Sequence, residues 1–315
     1  MRILITGVLG VIGEKLEKQL LRNGDNVFGL DLFHTNKNYG HFLGKISDDN
    51  YYRCDISNYR NLQNIMDYCK PDLVYNCAAE FGRWNGEEYY DDVWKSNVIG
   101  TKNIIRLQEE MKFKLVHFSS SEVYGDHDSI MHEETLDKVV IAQMNDYAIS
   151  KRVNEIQIKN SFELYGTQSV IVRPFNTYGP GEWYHPFRSV NCVFTYKLLN
   201  NLPVTVFKGH TRTSTYIDDS INALAEISKN FKNQEIYNIA STTNHTIEEL
   251  AELIIKYTGA NRNLLVHDNG YEFLTTKHKL VNNDKAVNDL KFEESVKLEE
   301  GVDKTVNWMK NYYSI

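Results

Sequence analysis

The sequence predicts an α/β protein in which helices cover both faces of a parallel sheet, an arrangement called doubly wound. Short apolar runs alternate with amphipathic stretches through residues 1–175, and a glycine-spaced turn directly follows the first apolar run. After residue 175 the alternation loosens. Because strand–helix repetition places crossover helices on the faces of a parallel sheet, we expect a first domain over residues 1–175.

Six apolar runs in this first part are predicted to be buried strands, because each is short and lies between helical patterns. The predicted strands are Arg2–Thr6, Asn26–Asp31, Tyr51–Arg53, Leu73–Ala78, Lys114–Phe118 and Ser169–Arg173.

Between these strands, apolar residues recur at helical spacing. The first helix is predicted to end near Gly24, which can adopt a left-handed conformation, and Ser57 is predicted to cap the second helix. The apolar faces of the four helices are Ile12, Leu16 and Leu20; Leu62, Ile65 and Met66; Trp94, Val98 and Ile105; and Ile149, Val153 and Ile156.

Residues 176–315 are expected to form a smaller C-terminal α/β lobe that lies over the carboxyl edge of the sheet, with some segments returning to the sheet. A short strand is predicted at Pro203–Phe207. Thr246 and Glu249 form a capping box at the start of a later helix, and Gly259 ends that helix. Ligands bind at the carboxyl edge in open α/β sheets, so this lobe is expected to hold the substrate.

The composition excludes several classes of protein. With 42% hydrophobic and 24% charged residues the chain is globular, and its net charge of −7 argues against a general affinity for nucleic acid. No apolar run approaches the roughly 20 residues of a membrane span. The chain lacks a signal-peptide layout, so we expect a cytoplasmic protein without a membrane partner. The four cysteines are scattered without metal spacing, so no metal is expected.

The glycine turn predicts a dinucleotide site. Gly7, Gly10 and Gly13 follow the first strand and enter the first helix, together with Val11 and Ile12. Glycines let the backbone approach a pyrophosphate, whose charge the helix N-terminus stabilises. The spacing G-x-x-G-x-x-G is one residue longer at the first gap than the common fingerprint. The first domain is therefore predicted to be a Rossmann-type dinucleotide-binding domain.

Acidic residues at the ends of the next two strands predict which dinucleotide binds. Asp31 ends the second strand, at the position from which a carboxylate reaches the adenosine ribose. It would repel a 2′-phosphate, so the predicted cofactor is NAD rather than NADP. Asp55 and Ile56 follow the third strand and could contact the adenine, although Asp55 could equally start the next helix.

An acid–base group is predicted downstream. Tyr147 and Lys151 are four residues apart, so they share one helical face with Cβ atoms about 5–6 Å apart. A tyrosine is a poor base at neutral pH because its unperturbed pKa is about 10, but an ammonium group and a cationic nicotinamide ring both favour the phenolate. The serine run before Glu122 lies upstream of this pair.

The chain resembles the extended branch of the short-chain dehydrogenase/reductase family, the group that modifies nucleotide-linked sugars. The resemblance covers essentially the whole chain. The residues that carry it are Thr6–Gly13, Asn76–Ala79, Asn97, Ser119–Gly125, Tyr147, Lys151, Arg173–Pro180, Arg212, Tyr216–Asp219, Leu298–Gly301 and Trp308.

The resemblance implies oxidation of the sugar at C4 by tightly bound NAD, followed by reaction of the ketone. It implies that Tyr147 is the base for the 4-hydroxyl, that Lys151 lowers the Tyr147 pKa, and that Ser120 hydrogen-bonds that hydroxyl. Asn97 matches a helix residue that orders this network. The cofactor contacts implied by the resemblance include Ala78, Asn97, Tyr147, Lys151 and Pro174.

The resemblance also implies substrate contacts. Asn176 and Arg212 match residues that hold the substrate diphosphate, for which the rigid, permanently charged fork of arginine is suited. Arg188 is a further candidate. Arg83, after the Ala-Ala pair, is a candidate contact for a sugar carboxylate or hydroxyl.

Glu122 bears on which reaction follows C4 oxidation. In 4,6-dehydratases of this family a glutamate at this position removes the C5 proton, and some of them place an aspartate where this chain has Ser121. The Ser121-Glu122 pair also resembles nucleotide-mannose dehydratases and uridine-diphosphate-glucuronate decarboxylases. We therefore expect a 4,6-dehydratase that acts on a UDP-, dTDP-, CDP- or GDP-linked hexose, with a uronate decarboxylase or a 4-epimerase as alternatives.

Two further expectations concern the state of assembly and whether the protein is an enzyme. The resemblance implies a homodimer, formed by the Trp94-bearing and Tyr147-bearing helices of two chains packed as a four-helix bundle. An NAD-binding scaffold without turnover is the alternative from a different class, and the presence of the whole catalytic set argues against it.

Overall fold

A computed structural model describes residues 1–33 and 50–315. Its largest element is a seven-stranded sheet in which all neighbouring strands are parallel. Its strands, in spatial order, are β11 (Ile236–Ile239), β6 (Gln168–Pro174), β5 (Lys114–Phe118), β4 (Leu73–Asn76), β1 (Arg2–Thr6), β2 (Asn26–Asp31) and β3 (Tyr51–Arg53).

The order of the strands confirms the doubly wound fold. From β1 the chain proceeds outward to β2 and β3, and then returns to the other side of β1 as β4. A crevice therefore opens between the carboxyl ends of β1 and β4, where ligands bind in such sheets. All six predicted strands are present. Strand β4 ends at Asn76 rather than at Ala78, and the segment after Asn76 leaves the sheet to border the crevice.

Helices pack on both faces of the sheet, and two separate apolar clusters fill the space between the helices and the sheet. The helices are α1 (Val11–Arg22), α2 (Tyr59–Cys69), α3 (Arg83–Glu88), α4 (Tyr90–Val93), α5 (Thr101–Met111), α6 (Thr135–Lys138), α7 (Asp146–Tyr165), α8 (Val190–Leu199), α9 (Ile217–Glu226), α10 (Ile247–Thr258), α11 (Asp284–Leu290) and α12 (Leu298–Tyr313). A π-helix, Trp94–Gly100, joins α4 to α5.

The predicted helix boundaries need one correction. Ser57 does not cap α2; the cap is Asn58, whose side chain accepts a hydrogen bond from the Asn61 amide at 3.2 Å. The Ser57 amide instead donates to Asp55 at 2.9 Å, in the turn that precedes the helix. Gly24 follows the end of α1 and has the expected left-handed conformation, with φ of +86°.

The predicted apolar face of α7 is not its buried face. Ile149 and Ile156 are exposed, whereas Ser150, Lys151 and Asn154 are buried. These buried polar residues make hydrogen bonds to neighbouring elements, so the burial of α7 is determined by polar contacts rather than by apolar periodicity.

The chain beyond residue 175 forms the remaining strands and returns once to the main sheet as β11, which pairs with β6. Three two-stranded sheets complete this part: β7 (Thr177–Tyr178) with β10 (Thr215–Tyr216), β8 (Val204–Phe207) with β13 (Leu265–Asp268), and β9 (Thr211–Thr213) with β12 (Asn244–Thr246). The capping box of Thr246 and Glu249 and the left-handed Gly259 are both observed on α10. Among the described residues, no helix combines the length and apolar character that crossing a membrane requires.

Candidate active site

The glycine turn brings the start of α1 against the ends of β1 and β4. Gly7 has φ of +68°, and a Cβ atom there would lie 2.7 Å from the Ala78 amide nitrogen. Gly10 is the N-cap of α1 and provides no side-chain cap. The first amide groups of the helix are therefore available to an anion. This arrangement fits the pyrophosphate of a dinucleotide.

Asp31 supports the same turn from β2. Its carboxylate accepts hydrogen bonds from the amides of Leu9 at 3.0 Å and Leu32 at 2.7 Å. Burial raises the pKa of Asp31, and these amide bonds partly oppose that shift. The carboxylate therefore helps to fix the turn, and it also borders the cleft where a ribose would be bound.

A cleft of about 820 Å³ runs along the carboxyl edge of the sheet. It brings together every predicted cofactor residue except Asn97. The predicted residues that line it are Gly7, Gly10, Val11, Ile12, Gly13, Asp31, Asp55, Ile56, Ala78, Tyr147, Lys151 and Pro174.

Asn97 is fully buried behind the cleft rather than in its wall, which corrects its predicted direct contact with the cofactor. It lies in the π-helix, accepts a hydrogen bond from the Glu80 amide at 2.9 Å, and donates to the Ser150 hydroxyl at 3.0 Å. Asn154 of α7 donates to the Asn97 carbonyl at 2.9 Å. Asn97 therefore connects the cleft wall at Glu80 to the helix that carries Tyr147.

Tyr147 and Lys151 both face the cleft from α7. The Lys151 ammonium lies 5.7 Å from the centroid of the Tyr147 ring and donates to the Phe118 carbonyl at 2.9 Å. The helix is capped by Asn145, whose side chain accepts from the Ala148 amide at 2.8 Å. The pair is therefore held at the end of β5.

Burial determines the protonation of this pair. Burial raises the pKa of Tyr147 to about 12; a hydrogen bond with Ser120 opposes the shift, and the charge of Glu122 adds to it. Burial lowers the pKa of Lys151 to about 8. We expected the Lys151 ammonium to favour the phenolate, but burial has the largest effect on the Tyr147 pKa, and it favours the neutral phenol. The protein's own groups alone therefore keep the phenol protonated near neutral pH.

In the serine loop that follows β5, Ser120 faces α7, whereas Ser121 and Glu122 face the C-terminal part. Ser120 caps the 3-10 turn Ser121–Tyr124, and its hydroxyl accepts from the Glu122 amide at 3.2 Å. The Ser121 hydroxyl is buried and accepts from the Lys279 ammonium at 3.1 Å. Ser120 also hydrogen-bonds the Tyr147 phenol, whereas Ser121 contacts Lys279.

Lys279 is a site residue that the sequence analysis missed. It is almost completely buried and forms an ion pair with Glu122. Burial by itself would raise the pKa of Glu122, but Lys279, with smaller contributions from Arg83 and Arg212, holds that pKa below its usual value. Glu122 is therefore an ionised carboxylate in a buried site.

A second cavity, of about 340 Å³, adjoins the cofactor cleft. Tyr147, Pro186, Phe187 and Arg188 line both spaces, so the phenol faces the two of them. All four predicted substrate residues line this cavity. They are Arg83, Asn176, Arg188 and Arg212, and they are joined there by Glu122, Glu272 and Lys279.

The cationic residues of this cavity are held by different means. Arg212 is buried and donates to the Thr211 carbonyl at 2.8 Å and to the Thr275 hydroxyl at 3.1 Å. The Arg188 guanidinium lies between two aromatic rings, 4.0 Å from the centroid of Phe81 and 4.3 Å from that of Trp183. These hydrogen bonds and ring contacts bring no negative charge themselves; the nearby carboxylates include Glu272, 3.8 Å from the Arg212 guanidinium, and Glu182, whose charge acts on Arg188.

Glu272 is the second residue that the sequence analysis missed. It forms an ion pair with Arg83 and faces Arg212. Glu272 and Lys279 lie in a segment with no motif and no regular spacing, and they reach the cavity only because the C-terminal part folds over the sheet. No local sequence signal distinguishes them from surface charges.

A buried polar network supports the serine loop. Ser119 donates to Glu155 at 2.6 Å, and Arg173 binds both oxygens of that carboxylate, at 2.8 and 2.9 Å. Arg173 also donates to the Tyr124 hydroxyl at 2.7 Å. The network therefore fixes the loop between Ser119 and Tyr124 relative to α7 and β6.

Known proteins resemble this chain throughout its length. A sequence profile of the NAD dependent epimerase/dehydratase family matches residues 3–240. A UDP-N-acetyl-alpha-D-glucosaminuronate decarboxylase of Bacillus cytotoxicus is 28% identical over 98% of this chain and 98% of its own. A UDP-glucuronate 4-epimerase of Thermodesulfobacterium geofontis is 29% identical over 98% of this chain and 95% of its own.

A solved structure has the same fold. The UDP-glucose 4-epimerase of Thermus thermophilus, crystallised with NAD, superposes with a TM-score of 0.86 over 98% of this chain and 99% of its own, at 23% identity. The profile covers most of the chain, including the glycine turn, the serine loop and the Tyr147–Lys151 pair. The chain therefore belongs to the NAD dependent epimerase/dehydratase family, the NAD-dependent enzymes that act as epimerases, decarboxylases and dehydratases of nucleotide-linked sugars.

Proposed function

We propose that this enzyme is a nucleotide-sugar 4,6-dehydratase, which oxidises a nucleotide-linked hexose at C4 and then eliminates water across C5 and C6. The observation that carries this proposal is the ion pair of Glu122 and Lys279 in the cavity that Tyr147 faces. The pair would present an ionised carboxylate and an adjacent ammonium group to a sugar bound in this cavity. Elimination of water requires such a base and such an acid.

The first step is removal of the proton from the 4-hydroxyl. Tyr147 accepts this proton, and Ser120 hydrogen-bonds the Tyr147 hydroxyl. Bound NAD would supply the oxidising equivalent at C4, would return it to the sugar as a reducing equivalent later, and would bring a positive charge to the site. Lys151, whose ammonium lies 5.7 Å from the centroid of the Tyr147 ring, adds a second positive charge. These charges favour the phenolate, which burial alone disfavours.

The second step takes place at C5 and C6. The C4 ketone makes the C5 proton acidic, and Glu122 removes that proton. The 6-hydroxyl leaves as water after Lys279 protonates it, so the C5–H and C6–O bonds break and a C5–C6 double bond forms. Ser121 cannot supply this proton as a carboxylic acid would, but it accepts a hydrogen bond from the Lys279 ammonium and orients it. The lysine thus provides the acid that the serine loop lacks.

A nucleotide-uronate decarboxylase is the second candidate. Its support is that two relatives are named for uronate substrates, and that Arg83 and Arg212 lie in the cavity where a C5 carboxylate could bind. In that reaction the bond between C5 and the carboxylate breaks, carbon dioxide leaves, and the C4 ketone accepts the electron pair. A 4-epimerase is the third candidate and needs no group beyond Tyr147, Lys151 and Ser120.

One experiment distinguishes the three candidates. The purified enzyme is incubated separately with UDP-, dTDP-, CDP- and GDP-linked hexoses and with the corresponding uronates. The products are separated by liquid chromatography, and their masses are measured by mass spectrometry. Loss of water from a hexose is the expected result. Loss of carbon dioxide from a uronate would establish the decarboxylase, and a new isomer of unchanged mass would establish the epimerase. If no hexose loses water, the proposed dehydratase is wrong.

Tyr147→Phe is the matched control. It should lower turnover by roughly 100-fold or more, because it removes a positioned acid–base group, while NAD remains bound. Turnover that survived this change would favour a scaffold role instead.

We further propose that residues 1–175 hold the cofactor and that residues 176–315 mainly hold the substrate, with β11 as the segment that returns to the first part. We also propose a homodimer. Its support is a set of exposed apolar side chains on the π-helix and on α7: Ile99 is 52% exposed, Ile149 36% and Ile156 55%. Packing of these surfaces against a second copy would remove apolar area from water.

A further inference from the structure

Glu272 lies between two arginines at the wall of the sugar cavity. One carboxylate oxygen pairs with the Arg83 guanidinium, and the other lies 3.8 Å from the Arg212 guanidinium. The Glu272 side chain is 24% exposed, and that of Arg212 only 7%. A carboxylate with one oxygen facing each of two guanidinium groups occupies the position of a bridging oxyanion.

The remaining contacts of these residues indicate that the bridge is separable from the rest of the site. Arg212 is held independently by the Thr211 carbonyl and the Thr275 hydroxyl. The neighbouring rings of Trp84 and Phe273 meet with centroids 6.2 Å apart. Residues 83 and 84 are therefore attached to residues 272 and 273 by two adjacent contacts across the cavity wall, while Arg212 keeps its place without Glu272.

The charges that line the cavity distinguish Glu272 from the other carboxylate there. Its lining contains four cationic side chains, Arg83, Arg188, Arg212 and Lys279, and two carboxylates, Glu122 and Glu272. Glu122 is paired with Lys279. Among the described lining residues, Glu272 is thus the carboxylate that forms ion pairs with Arg83 and Arg212.

We propose that Glu272 is an internal competitor for an oxyanion of the nucleotide sugar, which has to displace Glu272 from Arg83 and Arg212 in order to bind. This proposal rests on the proposed use of those arginines for substrate. A ligand without an oxyanion at this position leaves the bridge in place, so Glu272 sets a charge requirement for entry. The oxyanion can be the diphosphate or a C5 carboxylate, both of which bind arginine in the same way.

Binding rather than turnover tests this proposal, so a wrong reaction assignment would not affect the result. The NAD-loaded Tyr147→Phe protein is first titrated calorimetrically with UDP, dTDP, CDP and GDP. The nucleoside diphosphate that binds most tightly is then compared with its glucose-linked and glucuronate-linked forms. Glu272→Gln should tighten binding by roughly fivefold, the factor of one partly exposed ion pair. Glu272→Asp, which keeps the charge but shortens the reach, should give a smaller gain.

Glu293→Gln, an exposed change of the same charge, is the matched control and should leave affinity unchanged. Thermal unfolding of each variant checks that it folds. A gain with the diphosphate alone assigns the oxyanion to the diphosphate, and a gain only with the glucuronate assigns it to the C5 carboxylate. Unchanged or weaker binding in Glu272→Gln, an equal affinity of Glu272→Gln and Glu293→Gln, or failure of every nucleotide to bind would overturn the proposal.

Discussion

Lys151 changes its charge within the ordinary working range of pH. It is buried beside Tyr147, and its ammonium donates to the Phe118 carbonyl. Because burial lowers its pKa to about 8, Lys151 carries its charge below that pH and loses it above. The phenolate of Tyr147 depends on nearby positive charge, so a single side chain links the pH of the solution to the strength of the proposed base.

We therefore predict that kcat falls as pH rises through about 8, because the ammonium that steadies the phenolate is lost. The measurement is the pH dependence of kcat with saturating nucleotide sugar. Lys151→Arg, which stays charged, should shift this decline to higher pH even if its overall rate is lower. A decline at the same pH in both proteins would show that another group is responsible.

At the scale of elements, α3 approaches α7 closely at the start of the helix that carries Tyr147. A Cβ atom on Gly86 would lie 2.7 Å from the Tyr147 amide nitrogen and 3.2 Å from the Tyr147 Cβ. These distances leave no space for a methyl group. The short helix α3 therefore sets the position of the tyrosine, although it provides no acid–base group itself.

Gly86→Ala is predicted to lower kcat by roughly 100-fold, the cost of displacing a reacting group by about 1 Å. Kinetics with the same nucleotide sugar measure this effect. Gly166→Ala, at the other end of α7, is the control: its φ of +63° makes a side chain costly by about 1 kcal/mol, but no atom lies within 4 Å. It should reduce stability and leave kcat unchanged. Equal losses of kcat in the two variants would contradict a specific contact with Tyr147.

The ion pair of Glu155 and Arg173 joins α7 to β6. Both side chains are nearly inaccessible, and Arg173 uses two nitrogens on the carboxylate. We predict that Glu155→Gln lowers the free energy of unfolding by about 3–5 kcal/mol, because it leaves a buried guanidinium without its counter-charge. Urea unfolding measures this loss. Glu163→Gln, on an exposed position of the same helix, should change stability by less than about 0.5 kcal/mol. A similar small effect of Glu155→Gln would show that the pair is dispensable.

At the scale of the whole molecule, the exposed apolar side chains of the π-helix and α7 bear on the state of assembly. We predict that Ile156→Glu converts a dimer to a monomer, because it would place an unpaired charge in an apolar interface. Light scattering coupled to size exclusion measures the mass. Val140→Glu, a fully exposed apolar position elsewhere, is the control and should leave the mass unchanged. A wild-type monomer at micromolar concentration would contradict the proposed dimer.

Several features of the fold and site are predictable because they are local. The alternation of apolar runs gives six strands of the main sheet, and the spacing of Gly7, Gly10 and Gly13 places α1 at the end of β1. Four-residue spacing puts Tyr147 and Lys151 on one side of α7. Each of these depends on backbone geometry over a few residues, which sequence periodicity reports directly.

Other features depend on contacts between residues far apart in the chain. Apolar periodicity identifies Ile149 and Ile156 as the buried face of α7, yet Asn97 and Phe118 provide polar partners that bury the opposite side. Local patterns are therefore sufficient to predict the cleft at the end of β1 and the position of the proposed catalytic tyrosine. The pairing of Lys279 with Glu122, and the bridge from Glu272 to Arg83 and Arg212, are decided only when the C-terminal part folds over the sheet, because the free energy of a buried charge depends on which opposite charge the tertiary structure brings to it.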